Sequence, residues 1–249
     1  MKHAKRHPLI FGTIILTATG LITRVIGFFY RIYLSRLFGE EGMGIYQLLS
    51  PALSLSFSLT AAGYQTAISK YVAADSAKRP SGNLKPLLAG TSITLPLSLV
   101  TNAILFFSAD PIGIFLLKDH RTVPMLRILS FSVPFAALHA CINGYFYGKK
   151  KASVPALTQL LEQLARVSCV FLVTGADLAE GRTPSINAAV LGLTVGEIFS
   201  MLIALVCLYI HLYPDSSILS LQNICPSVPV YRDLLGMALP LTANRIVLK

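Results

Sequence analysis

The stretch INAAVLGLTVGEIFSMLIALVCLYIHL, residues 186–212, carries a single charged side chain, Glu197. A helix needs about 20 predominantly apolar residues to cross the hydrocarbon core of a bilayer, so this stretch is long enough to span one. Five similar segments precede it, at about 8–34, 44–72, 86–107, 123–147 and 154–174, and a seventh opens near Leu234 and runs to Lys249. The alternation of barrel strands is absent. Because backbone groups in hydrocarbon must bond internally, we predict an all-α integral membrane protein.

The overall composition supports this fold class. Of the 249 residues, 54% are hydrophobic and 13% are charged, whereas an average soluble domain has about 25% charged residues. This balance excludes a disordered chain and a nucleic-acid-binding tail, so no nucleic-acid partner is expected. The four cysteines form no CxxC pair and are expected to be reduced. The sequence shows no catalytic constellation, so we predict neither an enzyme nor a bound cofactor.

The net charge of +10 is unevenly distributed between alternate loops. One set of basic residues lies at the N-terminus and after the second, fourth and sixth spans: Lys2, Lys5, Arg6, Lys70, Lys78, Arg79, Lys85, Lys149, Lys150, Lys151 and Arg232. A smaller set follows the other spans: Arg36, Lys118, Arg121 and Arg182. Because basic residues concentrate in cytoplasmic loops, we predict a cytoplasmic N-terminus. A cleaved signal peptide is the alternative for the first segment, but its apolar run continues past Arg24, which favours an uncleaved span.

Charged residues inside the complete spans are the main candidates for function: Arg24, Arg31, Arg127, Glu162, Arg166 and Glu197. A charge at bilayer depth costs roughly 3 kcal/mol or more, so it usually faces a partner or a wet cavity. Arg24 and Arg31 are two helical turns apart on one helix face. Glu162 and Arg166 have the i,i+4 spacing of an ion pair, for which a purely structural bridge is an equal alternative. For Arg31 and Arg127 the alternative is snorkelling to the interface.

The arginines in these spans outnumber the glutamates by two. A common cavity lined by them suits an anion such as a phosphate or pyrophosphate headgroup, because a guanidinium binds such oxygens bidentately. Glu197 has three open interpretations: a proton site, a cation site, or a partner for an arginine. His139 is expected to be a core residue. The candidate substrate-binding residues are Arg24, Arg31, Glu162, Arg166 and Glu197, with Arg127 and Arg245 as further candidates and no metal ligand predicted.

Two separated blocks of the chain resemble a known family. The first is TRVIGF at 23–28, followed by LFGEEGMGIY at 37–46. The second is NGYFYGKK at 143–150, followed by VP at 154–155 and QLLEQLARV at 159–167. In this order they are similar to the polysaccharide-exporter branch of the multidrug/oligosaccharidyl-lipid/polysaccharide (MOP) flippase superfamily, and within it to the stage V sporulation protein B group.

The resemblance implies a MOP/MATE-like bundle of two six-helix lobes around a central cavity. Residues 1–212 would form the N-terminal lobe, 213–233 a cytoplasmic linker between lobes, and 234–249 the truncated start of the seventh helix. The missing C-terminal lobe would then be a partner of this one. Arg24 matches the first-helix arginine that has a role in the cavity of the related lipid II flippases. Those proteins continue with Arg-Asp where this chain has Tyr30-Arg31.

The function implied by the resemblance is a flippase or exporter of lipid-linked oligosaccharide or peptidoglycan precursor, of the undecaprenyl-pyrophosphate type. It would act by alternating access in the bacterial cytoplasmic membrane, with membrane lipids and a lipid-linked sugar pyrophosphate as partners. One alternative is a cation-coupled multidrug exporter of the same superfamily, against which the excess of arginine argues. Another is a membrane scaffold without transport. The coupling ion, or a dependence on membrane potential, is left open.

Overall fold

The computed structural model of the chain describes residues 8–78, 84–213 and 226–247, and these residues contain helices and no strand. The helices are α1 (Pro8–Leu48), α2 (Ser50–Phe57), α3 (Gly63–Lys78), α4 (Lys85–Phe107), α5 (Ala109–Pro111), α6 (Thr122–Gly148), α7 (Ser153–Ala179), α8 (Asn187–Leu212) and α9 (Val228–Val247). Two π-helical turns, Ser58–Ala62 and Ile112–Leu116, join α2 to α3 and extend α5. The predicted all-α fold, with six spans and a seventh helix, is confirmed.

The first two predicted spans fall within one helical stretch, Gly12–Ser76, of 65 residues. A straight helix of that length would measure about 98 Å, roughly three times the hydrocarbon thickness, so the stretch must fold back. It breaks at Gly39, whose backbone (φ 69°, ψ −175°) lies outside the helical region. A positive φ is readily adopted by glycine alone. Between the predicted spans 8–34 and 44–72 the chain is therefore interrupted by a one-residue kink, because Glu40 and Glu41 resume the helix.

The four other stretches long and apolar enough to cross a membrane are α4, α6, α7 and α8. The seventh helix, α9, begins at Val228, earlier than the predicted start near Leu234. Pro229 fits this earlier start, because proline is favoured in the first turn of a helix, where its missing N–H has no partner to lose. Most of the predicted linker lies outside the described residues, as do Cys225 and the basic side chains of the N-terminus.

Helix α6 lies at the centre of the bundle and is the most buried of the spanning helices. It packs against α3, α4 and α8, while α7 packs against α8 and α1. The largest fully buried side chains include Tyr145 and Phe146 near its end, in a cluster with Ile68 of α3 and Leu234 of α9. Helices α3, α4, α6, α8 and α9 therefore share one core cluster.

Helices α7 and α8 approach each other through two glycines of α8. A methyl group built at Gly192 would lie 3.0 Å from the Arg166 carbonyl oxygen and 2.5 Å from Val170 Cγ2, and one at Gly196 would lie 3.1 Å from the Glu162 carbonyl oxygen. Distances this short leave no room for any side chain. Gly192 and Gly196 therefore set the spacing at which the charged part of α7 meets α8.

We expect Gly192→Ala to lower the thermal stability of the protein. Alanine gains up to about 1 kcal/mol in helix propensity, but overpacking against α7 costs about 1–3 kcal/mol. Gly175→Ala is the matched control, because nothing lies within 4 Å of its added methyl group. Thermal unfolding in detergent should show a lower Tm for Gly192→Ala and an equal or higher Tm for Gly175→Ala. Equal shifts in both variants would contradict the close approach.

Candidate substrate-binding site

Three adjoining cavities run along one face of the bundle, and we call them together the inner groove. The first, of about 180 Å³, is lined by Arg31 together with residues of α2, α6 and α8. The second, of about 30 Å³, shares Leu53 and Leu129 with the first. The third, of about 230 Å³, shares Phe57 and Glu197 with the second. The inner groove therefore connects Arg31 of α1 with the acidic residues of α7 and α8.

Arg31 and Tyr46 line the first cavity of the groove together. Arg31 has no ion-pair partner among the described residues. Its charge creates a positive potential in this cavity, which a bound anion would relieve.

The position of Arg31 relative to α7 is fixed by aromatic contacts two residues further along α1. The Tyr33 hydroxyl lies 2.7 Å from Thr174 Oγ1, and its ring stacks on Phe171 with ring centroids 4.1 Å apart. On the same helix, Tyr30 and Leu34 are buried in a cluster with residues of α7 and α8. These contacts hold α1 against α7 and so determine how far Arg31 lies from Arg166.

Glu162 and Arg166 form the ion pair that their spacing predicts. Arg166 Nη2 donates to Glu162 Oε1 at 2.5 Å, and both side chains are about four-fifths buried. Arg166 Nη1 reaches Gln163 Oε1 at 3.4 Å. Arg166 Nε is buried without a hydrogen-bond partner among the described residues. The pair thus holds the guanidinium in place while one of its N–H groups remains available.

Glu197 lies beside His139 and not beside an arginine. Its Oε2 is 3.5 Å from His139 Nδ1, and both residues line the third cavity together with Glu162. The sequence predicts a core histidine, and His139 is indeed buried, but it also belongs to a polar cluster. The only sign of this polar cluster in the sequence is the pair of acidic residues on neighbouring spans, Glu162 and Glu197.

The remaining predicted residues lie apart from this cluster. Arg24 is exposed, two turns before Arg31 on α1. Arg127 is exposed, pairs with Asp110 at 2.6 Å and lies over the Phe106 ring. It points away from the groove, since Leu129 is about 200° further around α6. Arg245 is exposed in the last turn of α9. Among the predicted residues, Arg31, Glu162, Arg166 and Glu197 therefore belong to the region of the inner groove. Because Arg127 is paired with Asp110, it does not contribute an unpaired positive charge to that region.

A larger cavity, of about 650 Å³, lies between α3 and α9 and is lined by Lys70, Asp75, Arg232 and Asp233 among others. Its charges lie in the outer parts of helices, where headgroups and water solvate them. The inner groove carries its charges at the depth of the apolar spans, where an unneeded charge is costly. We therefore place the candidate site in the inner groove and not in the larger cavity.

Comparison with known proteins agrees with the fold. Residues 9–249 match the family model described as polysaccharide biosynthesis protein. The chain is 34% identical to stage V sporulation protein B of Bacillus subtilis, over 95% of this chain and 46% of that protein. It is 27% identical to the lipid II flippase MurJ of the same organism, over 68% of this chain and 32% of that protein. The chain therefore spans less than half the length of these relatives.

Among solved structures, an outward-facing MATE family transporter of the MOP superfamily has the same helical arrangement, with a TM-score of 0.77. The match covers 99% of this chain and 56% of the transporter, at 16% identity, and so concerns the fold alone. The chain is a multi-pass membrane protein with the fold of half a MOP transporter. Because the family model matches nearly its whole length, the chain belongs to the polysaccharide biosynthesis protein family.

Proposed function

We propose that this protein is the N-terminal lobe of a flippase that moves a lipid-linked sugar pyrophosphate across the bacterial cytoplasmic membrane. The observation that carries the proposal is Arg31, a cation that lines the inner groove beside Tyr46 and has no ion-pair partner among the described residues. The substrate class is a lipid-linked oligosaccharide or peptidoglycan precursor of the undecaprenyl-pyrophosphate type. The family and the names of the relatives support a membrane flippase or transporter.

The chemistry of the groove fits a pyrophosphate. A guanidinium offers a planar fork of donors to phosphate oxygens, and two guanidiniums match the two phosphates of the headgroup. Arg31 is exposed to the groove, and Arg166 retains one N–H without a partner among the described residues. Glu162 keeps Arg166 oriented through the 2.5 Å contact. The first cavity of the groove therefore holds a cation with unused donors, which suits an anionic headgroup.

The rest of the proposed machinery is the second lobe. The lobe would comprise residues 1–212, with 213–233 as the cytoplasmic linker and the N-terminus on the cytoplasmic side. The inner groove is open along one face, and a second lobe covering it would turn the groove into a closed cavity. Alternating access then requires only that the two lobes rock about the bound headgroup. Arg24 and Arg245 are proposed to contact the substrate only when that cavity is assembled.

A binding measurement on the protein in lipid nanodiscs tests the proposal. Undecaprenyl pyrophosphate should bind at least about tenfold more tightly than undecaprenyl monophosphate, because a second phosphate adds charge-assisted hydrogen bonds. The affinity should fall as ionic strength rises. A lipophilic cationic dye is the comparison ligand. Preferential binding of the dye would instead support a multidrug exporter, and equal binding of all three ligands would exclude a headgroup site.

A further inference from the structure

Three metal-ligating side chains from three different helices converge at the end of the inner groove. They are His139 of α6, Glu162 of α7 and Glu197 of α8, and one donor atom of each lies within 4.8 Å of the others. His139 is only 8% exposed, and all three residues line the third cavity. The proposed lipid headgroup uses Arg31 and Arg166, so this cluster is not accounted for by the proposed function.

The hydrogen bonds around Thr158 determine how Asn143 is oriented. The Thr158 hydroxyl has one hydrogen, and the Pro155 carbonyl oxygen at 3.0 Å is a closer acceptor than Asn143 Oδ1 at 3.4 Å. A hydroxyl that donates to Pro155 can only accept from Asn143, so the Asn143 atom beside it is better assigned as the NH₂ group. Side-chain amide orientation is assigned from such networks. With this assignment, the Asn143 side-chain atom that lies 2.7 Å from His139 Nε2 is the carbonyl oxygen.

The proton of His139 is then carried on Nε2. Ser200 Oγ lies 2.9 Å from His139 Nε2 and reaches the Thr158 carbonyl oxygen at 3.3 Å. The Asn143 carbonyl oxygen is the nearest acceptor for Nε2–H, and Ser200 Oγ, which also lies 3.3 Å from Nδ1, is left to donate to Thr158. A neutral imidazole protonated on Nε2 has a lone pair on Nδ1. That lone pair faces Glu197.

Two acceptors therefore face each other across the site. His139 Nδ1 is 3.5 Å from Glu197 Oε2, and this oxygen is buried with no hydrogen-bond partner among the described residues. Two lone pairs at that distance repel each other unless a cation lies between them. Glu162 adds a third donor, and Arg166 holds one of its oxygens, as outer residues commonly do for carboxylates that bind a metal.

We propose that His139 Nδ1, Glu162 and Glu197 bind a divalent transition-metal ion of the zinc class. One imidazole nitrogen and two carboxylates suit such an ion, whereas Ca²⁺ and Mg²⁺ prefer oxygen ligands alone. Glu162 receives positive charge from Arg166, and a divalent ion would supply it to Glu197, whose Oε2 has no hydrogen-bond partner among the described residues. Ligand atoms around a tetrahedral Zn²⁺ are about 3.3 Å apart, so a contraction of up to about 1.5 Å completes the site. The third cavity leaves a position for water.

Metal binding to the purified protein, with any purification tag removed, tests this site. ZnCl₂ should raise the Tm by about 5 °C at saturating concentration, and MgCl₂ should not. CoCl₂ should produce visible d–d absorption typical of a site with a nitrogen ligand. His139→Gln and Glu197→Gln should each weaken Zn²⁺ binding by at least about 100-fold, because each removes a ligand. His120→Gln is the matched control, since His120 is exposed in the loop before α6.

His139→Cys guards against a variant that fails to fold, since it should retain Co²⁺ and add thiolate-to-metal charge-transfer absorption. The proposal is overturned if the wild-type protein shows neither a Zn²⁺-dependent Tm shift nor a Co²⁺ spectrum. It is also overturned if His139→Gln and Glu197→Gln bind Zn²⁺ as tightly as the wild type, since the metal would then bind elsewhere. Lipid-pyrophosphate binding measured in the presence of a metal chelator depends on Arg31 and Arg166 and not on a bound metal. The headgroup proposal and the metal proposal can therefore be contradicted independently.

Discussion

Arg31→Gln is expected to weaken the binding of undecaprenyl pyrophosphate by about 10- to 100-fold. The substitution removes a charge that has no ion-pair partner among the described residues and lines the first cavity of the groove. Hydrogen bonds to charged groups contribute about 1.5–3 kcal/mol, which corresponds to this range of affinity. Because Arg31 is exposed and unpaired in the unliganded protein, its loss should leave the fold intact. Titration in nanodiscs, with the Tm of each variant measured in parallel, separates binding from stability.

Arg36→Gln is the matched control for Arg31→Gln. Both arginines lie on α1 and are exposed, but Arg36 is about 140° around the helix from Arg31. We expect Arg36→Gln to retain wild-type affinity. Arg31→Lys should fall between the wild type and Arg31→Gln, because a lysine keeps the charge but not the bidentate fork. Equal affinities for Arg31→Gln and Arg36→Gln would show that the groove does not hold the headgroup.

Arg166→Gln is expected to destabilise the protein by about 3 kcal/mol. The substitution leaves Glu162, about four-fifths buried, without its cation and close to Glu197. Removing one partner of a buried pair is costly because the other charge remains desolvated. Adding Glu162→Gln to this variant removes that charge, so the double variant should recover most of the loss. Thermal or denaturant unfolding of the single and double variants in detergent measures both effects.

Arg182→Gln provides the comparison with an exposed ion pair. Arg182 contacts Asp177 and Glu180 but is 62% exposed, and such pairs contribute at most about 1 kcal/mol. The change in unfolding free energy should therefore be several times smaller than for Arg166→Gln. If the double variant were no more stable than Arg166→Gln alone, the destabilisation would not arise from the stranded carboxylate.

Apolar run length predicts the spanning helices of this protein to within several residues. The bilayer imposes the same length on every crossing, so one rule applies to α4, α6, α7 and α8 alike. The rule is weaker where the chain turns outside the membrane. Gly39 interrupts α1 for a single residue, and the adjoining glutamates continue the helix. Helix α9 begins at Val228, before the apolar run opens near Leu234. Its start depends on Pro229 and on packing, so the length of the apolar run does not predict it.

The candidate site is less predictable because the spans are apolar on nearly every face. A helix with a strong amphipathic stripe shows which side it buries, but most of these helices have none. The Glu162–Arg166 pair is predictable since it lies within one helix. The contact between His139 and Glu197 depends on how α6 and α8 are rotated about their axes. The partner of Arg127 is Asp110, which lies where a turn interrupts the apolar pattern. The snorkelling alternative for Arg127 does not include this ion pair.

The close approach of α7 and α8 has a mechanical consequence. Where backbone meets backbone at Gly192 and Gly196, no rotamer change can absorb a displacement, so the two helices behave as a stiff unit. The backbone separation between α7 and α8 beside Glu162, Arg166 and Glu197 should then stay constant while the surrounding helices move. A transport cycle built on this lobe would change the side of the membrane from which these groups are accessible. The fixed spacing of α7 and α8 would then serve as the reference against which the movement of the other helices is measured.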